Sequence, residues 1–175
     1  EDYRIGYAAR KKLGGGVILT QIHEFDYALW LFGKPRRIFA MGGKVSDLEI
    51  DVEDSASIIM ECVVDNTSVP VSLCLDYLQS PPHRTCTIVG DRGRILWDFH
   101  GSKKVILEDR VTAKTEELDF QDFEVQQIYV DELQHFLDAT MGKVTPVVDL
   151  RTGYESLQMA LAAHRSIETG ELVTL

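Results

Sequence analysis

Gly14-Gly15-Gly16-Val17-Ile18-Leu19-Thr20-Gln21-Ile22-His23-Glu24-Phe25-Asp26-Tyr27, running on to Trp30-Leu31-Phe32-Gly33, is the stretch on which the fold of this 175-residue chain turns. Apolar side chains recur at Ile18, Ile22, Phe25, Leu29 and Phe32, in steps of four and three that stack on one face of a 3.6-residue helix. That face belongs to a core. His23 and Asp26 stand three apart, which makes them neighbours on the helix surface, rotated off the core line and flanked by Leu19 and Trp30. The pair borders the core without entering it. Three glycines let the backbone approach the helix at angles closed to other residues, and Gly33 before Lys34-Pro35 is the usual stop signal.

Beyond this helix the hydrophobic period changes from 3.6 to 2. Strands are expected over 37–46, 56–64 and 69–78, the last two joined as a hairpin across Asp65-Asn66-Thr67-Ser68. Val69, Val71, Leu73, Leu75 and Tyr77 alternate strictly and mark one buried face. Strands over 84–89 and 94–99 flank Gly90-Asp91-Arg92-Gly93, and 103–108 and 115–120 supply two shorter runs. Consecutive strands joined by tight turns are antiparallel neighbours. Helices return over 123–141 and about 150–168, the second begun by Asp149 as cap and ended by Gly170. One helix, a run of strands and two helices predict an α+β fold, a mainly antiparallel β-sheet with helices packed on one face.

Composition excludes several classes. At 45% hydrophobic residues, a chain of this length buries roughly 70% of its unfolded surface and supports a self-sufficient core. The net charge of −10 leaves no electrostatic footprint for phosphate backbones. No nucleic acid partner is expected. No apolar run approaches the ~20 residues of a membrane span and no secretory signal opens the chain, so no membrane partner and a cytoplasmic location are expected. Cys62, Cys74 and Cys86 lack the close pair that zinc sites use, so no metal is expected and the cysteines read as small apolar residues kept reduced. A metal-dependent hydrolase is disfavoured for a second reason: a zinc helix places ligands at i and i+4, and four residues after His23 stands Tyr27.

The order Gly-Gly-Gly, apolar run, His-x-x-Asp, Trp-x-Phe-Gly resembles the second domain of the glucose-fructose oxidoreductase and inositol dehydrogenase family, the Gfo/Idh/MocA group of NAD(P)-dependent sugar dehydrogenases. The segment from Thr87 to Asp98 is similar to the family's strand, Gly-x-x-Gly turn and strand, and Val130 to Ala139, then Gly142, Pro146, Gly153 and Ala162 to Gly170, to its closing helix pair. The likeness runs from about Lys12 to Leu175. It implies the second domain of a two-domain dehydrogenase, a substrate that is a sugar or sugar-derived alcohol, and His23 as the acid/base or substrate-orienting group. The family's familiar aspartate four residues before that histidine is replaced by Leu19, with Thr20 three before, so Thr20 becomes a candidate orienting residue.

Asp26 is read as a carboxylate holding the imidazole, or as a structural cap. The loop from Tyr77 to Arg84 adds two candidates, Tyr77 to hydrogen-bond or stack on a sugar and Arg84 to bind an anionic group; alternatively it is a solvated connection stiffened by Pro81 and Pro82. His135 and His164 read as structural and His100 as solvated.

Two features of the family are missing. No Gly-x-Gly-x-x-Gly loop and no Glu-Lys pair occurs in the chain, so the Rossmann half and the catalytic lysine of such an enzyme are absent. We therefore read residues 1–175 as a single substrate-binding and oligomerisation domain of a longer parent. NAD or NADP is expected in the full-length parent, and no cofactor bound to this fragment. The likeness also implies a homo-oligomer through the open sheet face, on which Cys74 and Leu78 are expected. The other class of function is a non-catalytic binding or assembly domain on the same scaffold.

Overall fold

The computed structural model describes residues 2–175. In chain order its main elements are α1 (Val17–Thr20), α2 (Ile22–Phe32), β1 (Arg37–Gly43), β2 (Ser55–Val64), β3 (Thr67–Asp76), β4 (Thr85–Gly90), β5 (Gly93–Asp98), β6 (Lys104–Asp109), β7 (Lys114–Asp119), α3 (Val125–Thr140), α4 (Leu150–Thr169) and β8 (Val173–Thr174). This is the expected α+β content, with every strand pair antiparallel among the described residues. The chain falls into two compact units: the residues up to Leu78 together with Val147–Leu175, and Gln79–Pro146.

In the first unit the sheet order is β3-β2-β1-β8. The hairpin between β2 and β3 closes on Asp65 and Asn66, whose φ of 48° and 63° are the left-handed angles that a two-residue hairpin turn requires. The register pairs Ile38 with Met60, Ala40 with Ile58, and Ile58 with Leu73, so these side chains share one face. The two longer helices, α2 and α4, pack on that face, and Phe25, Leu29, Met159, Ala160 and Ala163 close a single core with the strands. Asp149 caps α4 by accepting from Thr152 N at 2.8 Å, and Gly170 ends it at φ 70°. The opposite face carries Phe39, Met41, Ile59 and Cys74 and is left uncovered, with Met41 67% and Ile59 57% exposed. Only Cys62 of the three cysteines is in the core.

The expected continuous first helix is two segments. Thr20 Oγ1 donates back to Gly16 O at 2.8 Å, and Gln21 turns out of the helix at φ −106°, ψ 34°, its side-chain amide donating to Asp76 O at 3.2 Å. Side chains that offer backbone groups an alternative partner interrupt a helix in this way. Before α1 the chain forms three short 3-10 turns, Tyr3–Ile5, Tyr7–Ala9 and Lys11–Leu13, which the periodicity does not reveal.

The second unit is a four-stranded meander, β4-β5-β6-β7, followed by α3. Its register aligns Cys86, Trp97, Val105 and Leu118 on one face, and Arg94 with Glu108 on the other, where Arg94 and Glu108 form an ion pair. The strands expected as one sheet are therefore divided between two. The break falls at residues 79–84, where Pro81 and Pro82 have no N–H to give to a ladder.

Candidate active site on the first helical segments

The glycine triplet makes room for main chain and for one carboxylate. A Cβ on Gly15 would stand 2.4 Å from Tyr7 O and 2.5 Å from Ala8 O, and one on Gly16 would stand 2.2 Å from Glu53 Oε1. Gly16 also adopts φ 106°. The first turn of a helix leaves N–H groups without intrahelical partners. Here Val17 N donates to Glu53 O at 3.1 Å and Ile18 N to Glu53 Oε1 at 3.1 Å. The sequence gives no sign of Glu53's place here, because nothing in local spacing ties it to a helix so far back in the chain.

Two of the expected site residues meet. Thr20 Oγ1 lies 2.5 Å from the Tyr77 hydroxyl, which reaches Ala8 O at 3.5 Å. Both side chains are half-buried. Burial pushes the Tyr77 phenol above its ordinary value; the Thr20 hydrogen bond opposes this, and the negative charge of Glu53 adds to it.

His23 projects from the first turn of α2 with its side chain 53% exposed, beside the core and not in it. The carboxylate next to its ring is Glu24, whose Oε1 lies 3.2 Å from His23 Nε2. Glu24 is buried and also accepts from the Tyr27 hydroxyl. Asp26 is half-buried within α2. The buried Glu24 carboxylate thus stands between the Tyr27 hydroxyl and the exposed His23 imidazole, which can exchange a proton with a bound molecule.

Arg84 belongs to the second unit. There its guanidinium lies 5.3 Å from the Trp97 ring centroid and 5.7 Å from that of Phe99, in cation–π geometry. His164, on α4, lies in the first unit with Nε2 3.6 Å from Glu53 Oε1.

Among the described residues neither unit offers a dinucleotide cradle of the Rossmann kind. That site needs a parallel strand leading through a glycine loop into a helix, and the sheets here are antiparallel with no such loop. Among the described residues no group of three or more His, Cys, Asp or Glu side chains is placed to hold a metal ion. Among them, too, no helix is long and apolar enough to cross a membrane.

Comparison with known proteins agrees with the fold. The chain is similar to an oxidoreductase from Agrobacterium radiobacter solved with NAD+, L-tartaric acid and magnesium, at 18% identity and a TM-score of 0.77 over 96% of this chain and 51% of that one. It is similar to an aldose-aldose oxidoreductase from Caulobacter crescentus complexed with glycerol, at 19% identity and a TM-score of 0.77 over 98% and 51%. The WlbA dehydrogenase from Bordetella pertussis, solved with NADH and UDP-GlcNAcA, matches at 21% identity and a TM-score of 0.67 over 92% and 46%. The chain spans about half the length of these structures. No curated protein matches it. The family model described as "Oxidoreductase family, C-terminal alpha/beta domain" matches residues 6–175, and the chain therefore belongs to the Gfo/Idh/MocA oxidoreductase family as its C-terminal domain.

Proposed function

We propose that this chain is the substrate-binding and assembly domain of an NAD(P)-dependent oxidoreductase that acts on a sugar or sugar-derived alcohol. The observation that carries the reading is His23: a half-exposed imidazole beside the buried Glu24 carboxylate on α2, at the family's acid/base position, in a chain that matches the family over residues 6–175. NAD+ and NADH in two similar structures support the cofactor class, and the aldose-aldose oxidoreductase, together with the UDP-GlcNAcA bound beside NADH in the WlbA dehydrogenase, supports the substrate class.

The dinucleotide, held by the partner half of the parent, supplies the hydride acceptor. This chain supplies proton handling and orientation. His23 takes the proton of the reacting hydroxyl, a task suited to imidazole, the side chain that titrates near neutral pH. Glu24 orients the ring from 3.2 Å, and Asp26 is the second carboxylate on the same helix. The Thr20–Tyr77 hydroxyl pair orients a second hydroxyl of the substrate.

The test is to assay the full-length parent for reduction of NAD+ and NADP+ with a panel of aldoses, polyols, sugar acids and nucleotide-linked sugars, and to titrate both dinucleotides into the 175-residue chain by calorimetry. The reading expects reduction by the parent and no binding tighter than ~1 mM by this chain, because pyrophosphate recognition needs the missing glycine loop. Micromolar dinucleotide binding to this chain, or a parent that binds neither dinucleotide, would overturn it.

A further inference from the structure

We infer that Glu53 is the positioning residue of the candidate active site: its carboxylate is a clasp that fixes where the segment bearing Thr20 and His23 begins. The inference rests on the reading of those two residues as site residues. A single helical turn such as α1 (Val17–Thr20) does not hold its own shape, since helix nucleation is unfavourable and its first N–H groups have no intrahelical partner. Its N-cap is Gly16, which has no side chain to offer. Glu53 takes the place of that side chain from outside, giving its carbonyl to Val17 N and its carboxylate to Ile18 N, both at 3.1 Å.

The carboxylate is itself held. On one side it fills the space that a Cβ of Gly16 would occupy, 2.2 Å from Oε1, so the glycine is the seat of the clasp. On another, His164 Nε2 on α4 stands 3.6 Å from Oε1; that nitrogen is buried and has no hydrogen-bond partner among the described residues. The Glu53 side chain is only 13% exposed. One carboxylate therefore binds the start of α1 and lies against α4, the long helix of the core.

What the clasp positions lies at the other end of the turn. Thr20 closes the turn by donating to Gly16 O and meets the Tyr77 hydroxyl at 2.5 Å, and after the break at Gln21 the next helix begins with Ile22 and His23. A slip of α1 would carry the Thr20 hydroxyl away from Tyr77 and re-aim the imidazole. The Tyr77 phenol also feels the Glu53 charge, so it reports on the clasp.

The test uses the 175-residue chain and backbone resonances. Glu53→Leu removes the acceptor at similar volume, whereas Glu53→Gln keeps an oxygen for Ile18 N. The inference expects Glu53→Leu to shift the amide signals from Thr20 to Glu24 and the Tyr77 ring signals, and Glu53→Gln, which keeps the acceptor but not the charge, to return the amide signals to near their wild-type positions. Signals of Thr20, His23 and Tyr77 unmoved in Glu53→Leu, with Ile18 alone affected, would overturn it. If Glu53→Leu does not fold, the wild-type Ile18 amide decides: clasped, it exchanges with solvent roughly 100-fold slower than an open first-turn amide, and exchange at the open rate overturns the inference. These readouts do not depend on catalysis, so a parent whose turnover survives His23→Ala would refute the reading of His23 while the spectra still decide whether the clasp exists.

Discussion

At Gly16 the backbone takes a φ of 106° and the Glu53 carboxylate stands in the place of a side chain. Gly16→Ala is expected to cost about 2 to 3 kcal/mol of unfolding free energy by chemical denaturation, the sum of an angle essentially reserved for glycine and a blocked Cβ. His23 is legible as a flank residue, but its neighbour is not. The spacing of three favours Asp26, whereas the ring lies against Glu24 because the helix restarts at Ile22 and both side chains stand in its first turn.

Asp54 couples folding to pH. It is fully buried; burial alone would raise its carboxyl, but the Ser46 hydroxyl and the Val45 and Ser46 amides outweigh burial and hold it below the ordinary carboxylate range. A carboxyl depressed by folding stabilises the fold above its unfolded pKa of ~3.9, and that contribution is lost as pH falls through the lower folded value. Asp54→Asn should therefore lower the unfolding free energy at neutral pH by about 1 to 3 kcal/mol for disturbed buried hydrogen bonds, with the gap to wild type closing in strong acid. A constant gap from pH 7 to pH 2 would exclude a depressed Asp54 as its source.

Among the elements, those with local signals are the most legible. The last helix, expected over about 150–168, spans Leu150–Thr169, since Asp149 and Gly170 cap it by their own chemistry. Asp149→Ala is expected to cost about 1 kcal/mol in thermal or denaturant unfolding, the worth of one N-cap. Four short elements escape for physical reasons: β8 has only two residues, too few to show a period, and the three 3-10 turns before Gly14 have none. The division into two sheets could be anticipated only from the prolines at 81 and 82, which alternation cannot weigh. Of the apolar stripe expected to face the core, Ile18, Phe25 and Leu29 are buried, while Ile22 and Phe32 are only partly so. Phe25→Ala, at a fully buried ring between helix and sheet, is expected to cost about 3 to 5 kcal/mol. Retention of the wild-type unfolding midpoint would mean that α2 is not part of the cooperative unit.

For the whole molecule, an uncovered sheet face bearing Phe39, Met41 and Ile59 next to a fully formed core on the other face is the arrangement of a surface that pairs. We expect this chain to form at least a dimer that buries well over ~1,000 Å² through that face, and Ile59→Lys to shift sedimentation towards monomer without loss of fold. A clean monomer of the wild-type chain at high micromolar concentration would contradict this. The central claim is a division of labour, with the dinucleotide held elsewhere in the parent and the reacting proton handled by His23 in this chain. Its most direct test is His23→Ala in the full-length parent, with turnover, dinucleotide affinity and unfolding midpoint measured on the same preparation. The expected result is kcat lower by roughly 10²- to 10⁴-fold, the worth of one general acid/base group, with affinity and midpoint little changed because the side chain is half-exposed beside the core. Near-normal turnover in that variant would contradict the claim.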